Sequence, residues 1–150
     1  MGGGGGRAGE EQRLGLGAGQ AVSRAEDPDR ISELFADTVD WRLDWPADGH
    51  SVVPWIRARS TRADVADHFR ALRDAHVPEK RGGLTPAVLV DGADAVVFGD
   101  IRQTVRATGR EYRAGCALRL TVEDGAITRY HVYEDSLTVA QALAGDAVAG

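Results

Sequence analysis

The side chains able to move a proton or grip a ligand are few enough in this 150-residue chain to weigh one at a time. Glu134 closes an alternating run in which Tyr130, Val132 and Glu134 share one face. If that face points inward, Glu134 is the best-placed base, desolvated enough to hold a proton near neutral pH. The competing reading is a strand-end carboxylate in solvent. Asp135, just before Leu137, suits a helix N-cap instead. His68 neighbours the apolar stripe Val65, Ala66, Phe69 and Leu72, from which it can reach an interior pocket. His131 alternates outward with Arg129 and Tyr133.

Several chemistries are absent from the sequence. The four histidines, His50, His68, His76 and His131, include no i, i+4 pair with an adjoining glutamate, so no metal is expected. No nucleophile elbow accompanies a Ser, His and Asp set, and no cofactor motif stands in a strand-to-helix context. Gly15, Gly17 and Gly19 have no strand before them and read as linker. The single cysteine, Cys116, shares a strand face with Leu118 and Leu120 and reads as a small hydrophobe in a pocket wall. Asp100 and Arg102 sit on one strand face, but Ile101, Gln103 and Val105 form the better inward set. That leaves Asp100, Arg102, Thr104 and Arg106 outside.

The aromatic residues carry more of the signal. Trp41, Trp45 and Trp55 surround the first strand and the loop after it, and Phe69 and Tyr130 face the same space. Trp45 and Trp55, each beside a proline, read as the rim of a pocket for a flat apolar ligand. Trp41, Phe69, Gln103, Cys116, Tyr130 and Val132 would line it.

Positioning these residues requires a particular order of elements. Residues 1–19 are glycine-rich and read as a flexible tail, as do 145–150, leaving one domain over 20–144. Ala21, Val22 and Ala25 predict a first short helix. Asp27 and Pro28 predict the cap and first turn of a second, with Ile31, Leu34 and Phe35 as its buried face. Val39, Trp41 and Leu43 alternate with Asp40, Arg42 and Asp44, which predicts a half-buried strand. Residues 46–60 form an apolar loop, and Thr61 with Asp64 predicts a capping box at the third helix. Strands follow at 84–90, 95–107, 112–122 and 126–133, joined by turns at Asp91-Gly92, Thr108-Gly109-Arg110 and Glu123-Asp124-Gly125. A last helix covers 136–144. Helices first and strands after make an α+β domain: three N-terminal helices packed on a strongly bent antiparallel sheet that encloses a pocket.

The totals limit the partners. A net charge of −5 with interspersed signs offers no basic stripe for nucleic acid or anionic lipid. The apolar h-region of a signal peptide is missing from the start, no stretch approaches the length of a membrane span, and one cysteine suits a reducing compartment. The expected location is therefore cytoplasmic.

Two segments carry a family resemblance. Asp29-Arg30-Ile31 through Leu34-Phe35-Ala36-Asp37 and Val39-Asp40-Trp41 resembles the entry of SnoaL-like and ketosteroid isomerase-like domains of the nuclear transport factor 2-like superfamily. Leu120 through Tyr130, followed by Tyr133-Glu134-Asp135-Ser136, resembles their final hairpin. Pro54-Trp55-Ile56-Arg57 and Ala107-Thr108-Gly109-Arg110 agree in order and spacing. The resemblance implies a cone-shaped cystatin-like roll and a homodimer through the outer sheet face, where Arg102, Thr104, Arg119, Arg129, His131 and Tyr133 mix polar and aromatic groups. It does not carry a reaction across. The ketosteroid isomerase base would fall at Leu43, with Asp44 one residue away as the nearest carboxylate, while its tyrosine would fall at Gly19 and its buried acid near Cys116. The Arg-then-Asp order of limonene epoxide hydrolase is reversed at Asp100 and Arg102. In Tyr130-His131-Val132 the histidine and aspartate of the cyclases' frequent motif are both replaced. The expectation is a cofactor-independent enzyme of isomerase, cyclase or hydrolase type acting on an apolar, cyclic or polyketide-like molecule. Its rival is a non-catalytic pocket or interaction protein of the same fold.

Overall fold

The structure, a computed structural model, describes residues 27–46, 49–77, 82–83 and 87–145. The elements are α1 (Pro28–Ser32), β1 (Phe35–Leu43), α2 (Arg62–Ala75), β2 (Gly82–Gly83), β3 (Ala87–Asp91), β4 (Asp94–Thr104), β5 (Glu111–Glu123), β6 (Ala126–Glu134) and α3 (Ser136–Ala144). The helix expected around Ala21 to Ala25 lies outside the described residues, as does the start of the strand expected from 84.

The six strands form one sheet in the order β1-β6-β5-β4-β2, with β3 pairing the same edge of β4 as β2. Tight turns fix the antiparallel neighbours. Asp124 and Gly125 form a two-residue loop between the paired Glu123 and Ala126, both at positive φ (51° and 82°), the backbone twist that matches a hairpin. The expectation of a purely antiparallel sheet is corrected at one edge, where β1 runs parallel to β6, Trp41 beside Tyr130 and Leu43 beside Val132. These strands are far apart in sequence, so no hairpin dictates their direction. The sheet is mixed.

A second correction concerns Leu34 and Phe35, expected on a helix. The first helix ends at Ser32, and Phe35 opens β1 fully buried. Asp27 caps α1 through Asp29 N (2.9 Å), but a run of Phe35, Val39 and Trp41 is better buried by an extended chain against β6.

The helical caps fall where the sequence puts them. Thr61 Oγ1 accepts from Asp64 N and the Asp64 carboxylate accepts from Thr61 N, a complete capping box. From there α2 lays Val65, Ala66 and Phe69 over the sheet, with α1 against its side. Asp135 caps α3 through Thr138 N. The α2 C-terminus is stitched to the sheet by His76. Its Nδ1 lies 2.7 Å from the Leu72 carbonyl and its Nε2 2.8 Å from the Tyr112 hydroxyl. A carbonyl only accepts, so Nδ1 carries the proton and Nε2 takes one from Tyr112. Thr104, assigned by alternation to the outer face, is buried, because Val77 bonds to its carbonyl and His76 bridges to Val105 beside it.

Removing the α2 cap tests this frame. Thr61→Ala should lower the unfolding free energy by about 1 kcal/mol, seen as a lower urea midpoint at unchanged m-value.

Candidate functional site

The inward face of the sheet is built in rows set by strand register. Trp41, Tyr130, Leu120 and Ala95 form one row, and Leu43, Val132, Leu118 and Val97 the next. Then come Glu134, Cys116 and Gly99, followed by Ala114 with Ile101 and Tyr112 with Gln103. Trp45, two residues past Leu43, extends the Glu134 row. Its indole Nε1 donates to Glu134 Oε1 at 2.7 Å.

A β-bulge decides that Glu134 faces this way. Thr121 pairs with Arg129 and Val122 with Ile127, leaving Thr128 as an extra residue on β6. Ile127 and Tyr130, three apart, can therefore both be buried. Without the bulge, alternation from Ile127 would turn Arg129, His131 and Tyr133 inward and Glu134 out.

Burial along these rows locates the opening. Ala95, Val97, Leu118, Leu120, Tyr130 and Val132 are buried in one core cluster, and Tyr112, Ala114 and Val105 in a second. Between them Gly99, Cys116, Glu134 and Trp45 are all only half-buried, as are Leu43 and Ile101. Burial is incomplete in the row where Cys116 and Gly99 lie beside a carboxylate, and that half-buried row is the candidate site. Burial raises the Glu134 proton affinity above the usual carboxylate range. The Trp45 hydrogen bond opposes this, and the negative charges of Asp44 and Asp135 add to it.

The other proposed residues distribute unevenly. Trp41 stacks on Tyr130 (centroids 4.6 Å apart) and meets Phe69 and His68 edge-on, so Trp41, Phe69 and Tyr130 form an aromatic nest beside the site. Val132 lies one row away. Gln103 sits two rows off, 3.5 Å from the Tyr112 hydroxyl. Asp44 does not join Glu134 on the inward face. It follows Leu43 on the alternate side of the strand, is exposed, and acts on Glu134 only through its charge. Trp55 is not at a rim. Turns at Val53 and Ile56, bonded back to His50 and Val53, fold its loop inward, and the ring is buried against His76 at 5.3 Å.

His68 is buried, and its pKa falls to about 3 through loss of solvent, reinforced by the charge of Arg59 and opposed by a hydrogen bond to the Trp55 carbonyl. It is a neutral ring at physiological pH, not a proton shuttle. Arg59 went unnoticed in the sequence. It is buried and donates to the carbonyls of Asp64 (2.6 Å) and Trp55 (3.3 Å), tying the loop to α2. The His76–Tyr112 pair also went unnoticed, because its partners are 36 residues apart and neither carries a local signal. Among the described residues no group of three His, Cys, Asp or Glu side chains could hold a metal ion, and no helix is long and apolar enough to cross a membrane.

Residues 20–130 match the model of the SnoaL-like domain, and the chain belongs to that family. Solved structures agree on the fold. A nuclear transport factor 2-like protein from Burkholderia xenovorans superimposes with a TM-score of 0.73 at 18% identity, over 91% of this chain and 97% of that one. A protein from Bacillus subtilis assigned as an isomerase gives 0.71 at 17% identity, over 90% and 96%. A protein from Jannaschia assigned as a SnoaL-like polyketide cyclase gives 0.69 at 14% identity, over 97% and 99%. No curated protein matches the chain.

The buried neutral His68 gives a pH dependence with a definite sign. Its folded pKa lies below the unfolded value near 6.5, so its contribution to stability is full above about pH 6.5 and drains away toward about pH 3. The slope from this one group does not exceed about 1.4 kcal/mol per pH unit. Thermal melts of His68→Gln should show a flatter decline over that window than the wild type. Parallel curves would contradict the assignment.

Proposed function

We propose that the chain is a cofactor-independent acid–base enzyme of isomerase or cyclase type, with Glu134 moving a proton on an apolar cyclic substrate held in the gap between the two core clusters. The observation that carries this reading is the inward, half-buried Glu134, aimed by the Trp45 indole and with its proton affinity raised by burial. One oxygen is committed to Trp45, and Oε2 has no hydrogen bond among the described residues. A base of raised pKa both takes a proton from carbon and returns it, the requirement for shifting a double bond or closing a ring. The walls supplied by Leu43, Ile101 and Trp45 suit an apolar ring and shield the carboxylate from water.

A general assay needs no knowledge of the natural substrate. Cyclic ketones such as 2-tetralone exchange their α-protons for deuterium when a base works on them, and NMR reads the rate. The wild type should accelerate exchange, and Glu134→Gln should lose at least about a hundredfold of that acceleration. The rate should rise with pH through the Glu134 pKa. Trp45→Phe removes the bond that stabilises the ionised carboxylate, so the inflection should move to higher pH.

A second reading, a ligand-binding protein without catalysis, draws support from the row itself, where Glu134 has no second carboxylate or histidine among the described residues, with Asp44 outside and His68 neutral. The two readings part in one experiment. Alkylation of Cys116, in the same row, should be slowed by bound ligand under either, whereas ketone exchange occurs only under the first.

The outer sheet face fits a homodimer. Phe98, Ala117 and Tyr133 are register neighbours across β4, β5 and β6, and the two rings are 42% and 44% exposed. A two-fold axis over Ala117 would set each Phe98 against the partner's Tyr133 in an isologous contact. Light scattering should return twice the 16.0 kDa chain mass, and Tyr133→Asp should halve it.

A further inference from the structure

Two polar atoms of the aromatic nest are sealed from solvent without a hydrogen-bond partner among the described residues: Trp41 Nε1 and His68 Nδ1. Their rings meet edge-on with centroids 4.7 Å apart, enclosed by Phe69 and Tyr130. Leaving such atoms unmet costs about 1–3 kcal/mol each, so two together call for a partner. Neither atom has a partner among the described residues, unlike the nitrogens of His76, one on the Leu72 carbonyl of α2 and the other on the Tyr112 hydroxyl of the sheet.

The hydrogen-bond roles of the two atoms are fixed. The His68 ring is neutral, and the Trp55 backbone carbonyl raises its proton affinity. A carbonyl only accepts and Nδ1 has no partner among the described residues, so the proton is assigned to Nε2 and Nδ1 offers a lone pair. The indole Nε1 can only donate. A group satisfying both must accept from one and donate to the other. A ketone or ether oxygen serves Trp41 and leaves His68 unmet. An ammonium serves His68 alone, and a carboxylate sets its charge against the Nδ1 lone pair. A hydroxyl meets both.

We propose that Trp41 and His68 form a subsite for a neutral hydroxyl, so that the ligand of the Glu134 gap is an alcohol or phenol whose oxygen accepts from Trp41 Nε1 and donates to His68 Nδ1. The inference rests on the reading of that gap as a ligand site. Trp41 lies two rows from Trp45, and Tyr130 two rows from Glu134, about 13 Å along an extended strand. A ligand touching both ends is therefore larger than a single ring, with its hydroxyl remote from the reacting carbon. The atoms are closed off in the free chain, so the half-buried Trp41 ring must shift to admit the group, and a trapped water is the competing occupant.

Calorimetric titration with three naphthalenes separates the cases. 2-Naphthol donates and accepts, 2-methoxynaphthalene only accepts, and 2-naphthoate is anionic. The expected result is 2-naphthol binding about tenfold tighter than the ether, the scale of one hydrogen bond otherwise left unmade, and tighter still than the acid. His68→Phe should bring naphthol and ether to near equality while the ether's own affinity holds, which also shows that the variant folds, whereas Trp41→Phe should weaken both and leave naphthol the tighter. Equal binding of naphthol and ether to the wild type, with Cys116 protected from alkylation by both, overturns the hydroxyl subsite and leaves the gap as a ligand site; this is the outcome a trapped water gives. An unchanged naphthol preference in His68→Phe overturns it equally. Failure of all three compounds to bind or to protect Cys116 removes the ligand site itself and the subsite with it.

Discussion

One extra residue in β6 governs which side chains meet in the interior. With Thr128 bulged out, the strand changes phase, and Tyr130, Val132 and Glu134 turn toward the helices while Arg129, His131 and Tyr133 turn away. The parallel pairing of β1 then reads that phase across the sheet edge, laying Trp41 on Tyr130, Leu43 beside Val132 and Trp45 against Glu134. Were the bulge removed, the interior would receive Arg129, His131 and Tyr133 in place of Tyr130, Val132 and Glu134. The nest and the candidate site thus have a common origin in one local irregularity.

The interior has two kinds of polar group, treated differently by their surroundings. Glu134 stands in the half-buried row and keeps partial contact with solvent, so burial raises its proton affinity without removing its ability to ionise. His68 is on the buried face of α2, near the charge of Arg59, and its environment holds it neutral throughout the physiological range. One fold therefore offers a titrating group in a half-buried row and a neutral imidazole in the aromatic nest two rows away. That division suits proton transfer at one end of a ligand and recognition at the other. The outer face, by contrast, satisfies its charges locally, with Arg113 on Asp100 at 2.7 Å and Arg129 on Asp40 at 3.1 Å, leaving Phe98 and Tyr133 as the apolar residues still exposed in its central row.

Local chemistry made much of the architecture legible from the sequence. The caps at Asp27, Thr61 and Asp135 depend on side chains within three residues of their targets, and the hairpin at Asp124-Gly125 depends on two residues that tolerate positive φ, so each is written in a short segment. The alternation of Tyr130, Val132 and Glu134 was likewise visible, as was the expectation that Tyr130 faces the same space as the tryptophans. What a short segment cannot encode is which of two faces is inside, because period-2 alternation is symmetric and only the register with β5 reveals the bulge.

Tertiary structure decided the remainder. Phe35 passed from a helix to a strand because burial against β6 outweighs its local helical spacing, and Trp55 passed from rim to core because the turns of its loop fold it under α2 and α3. The direction of β1 was open to either choice until its distant partner was known. Asp44 and Trp45 are neighbours in the chain, yet one faces solvent and the other holds Glu134. The sequence by itself determined the elements, their caps and the pool of candidate residues, all properties of near neighbours. Which of those residues share an enclosure, and in which protonation state, was decided only by contacts between strands and helices remote in the chain, since burial and partner charges exist only once those elements have packed.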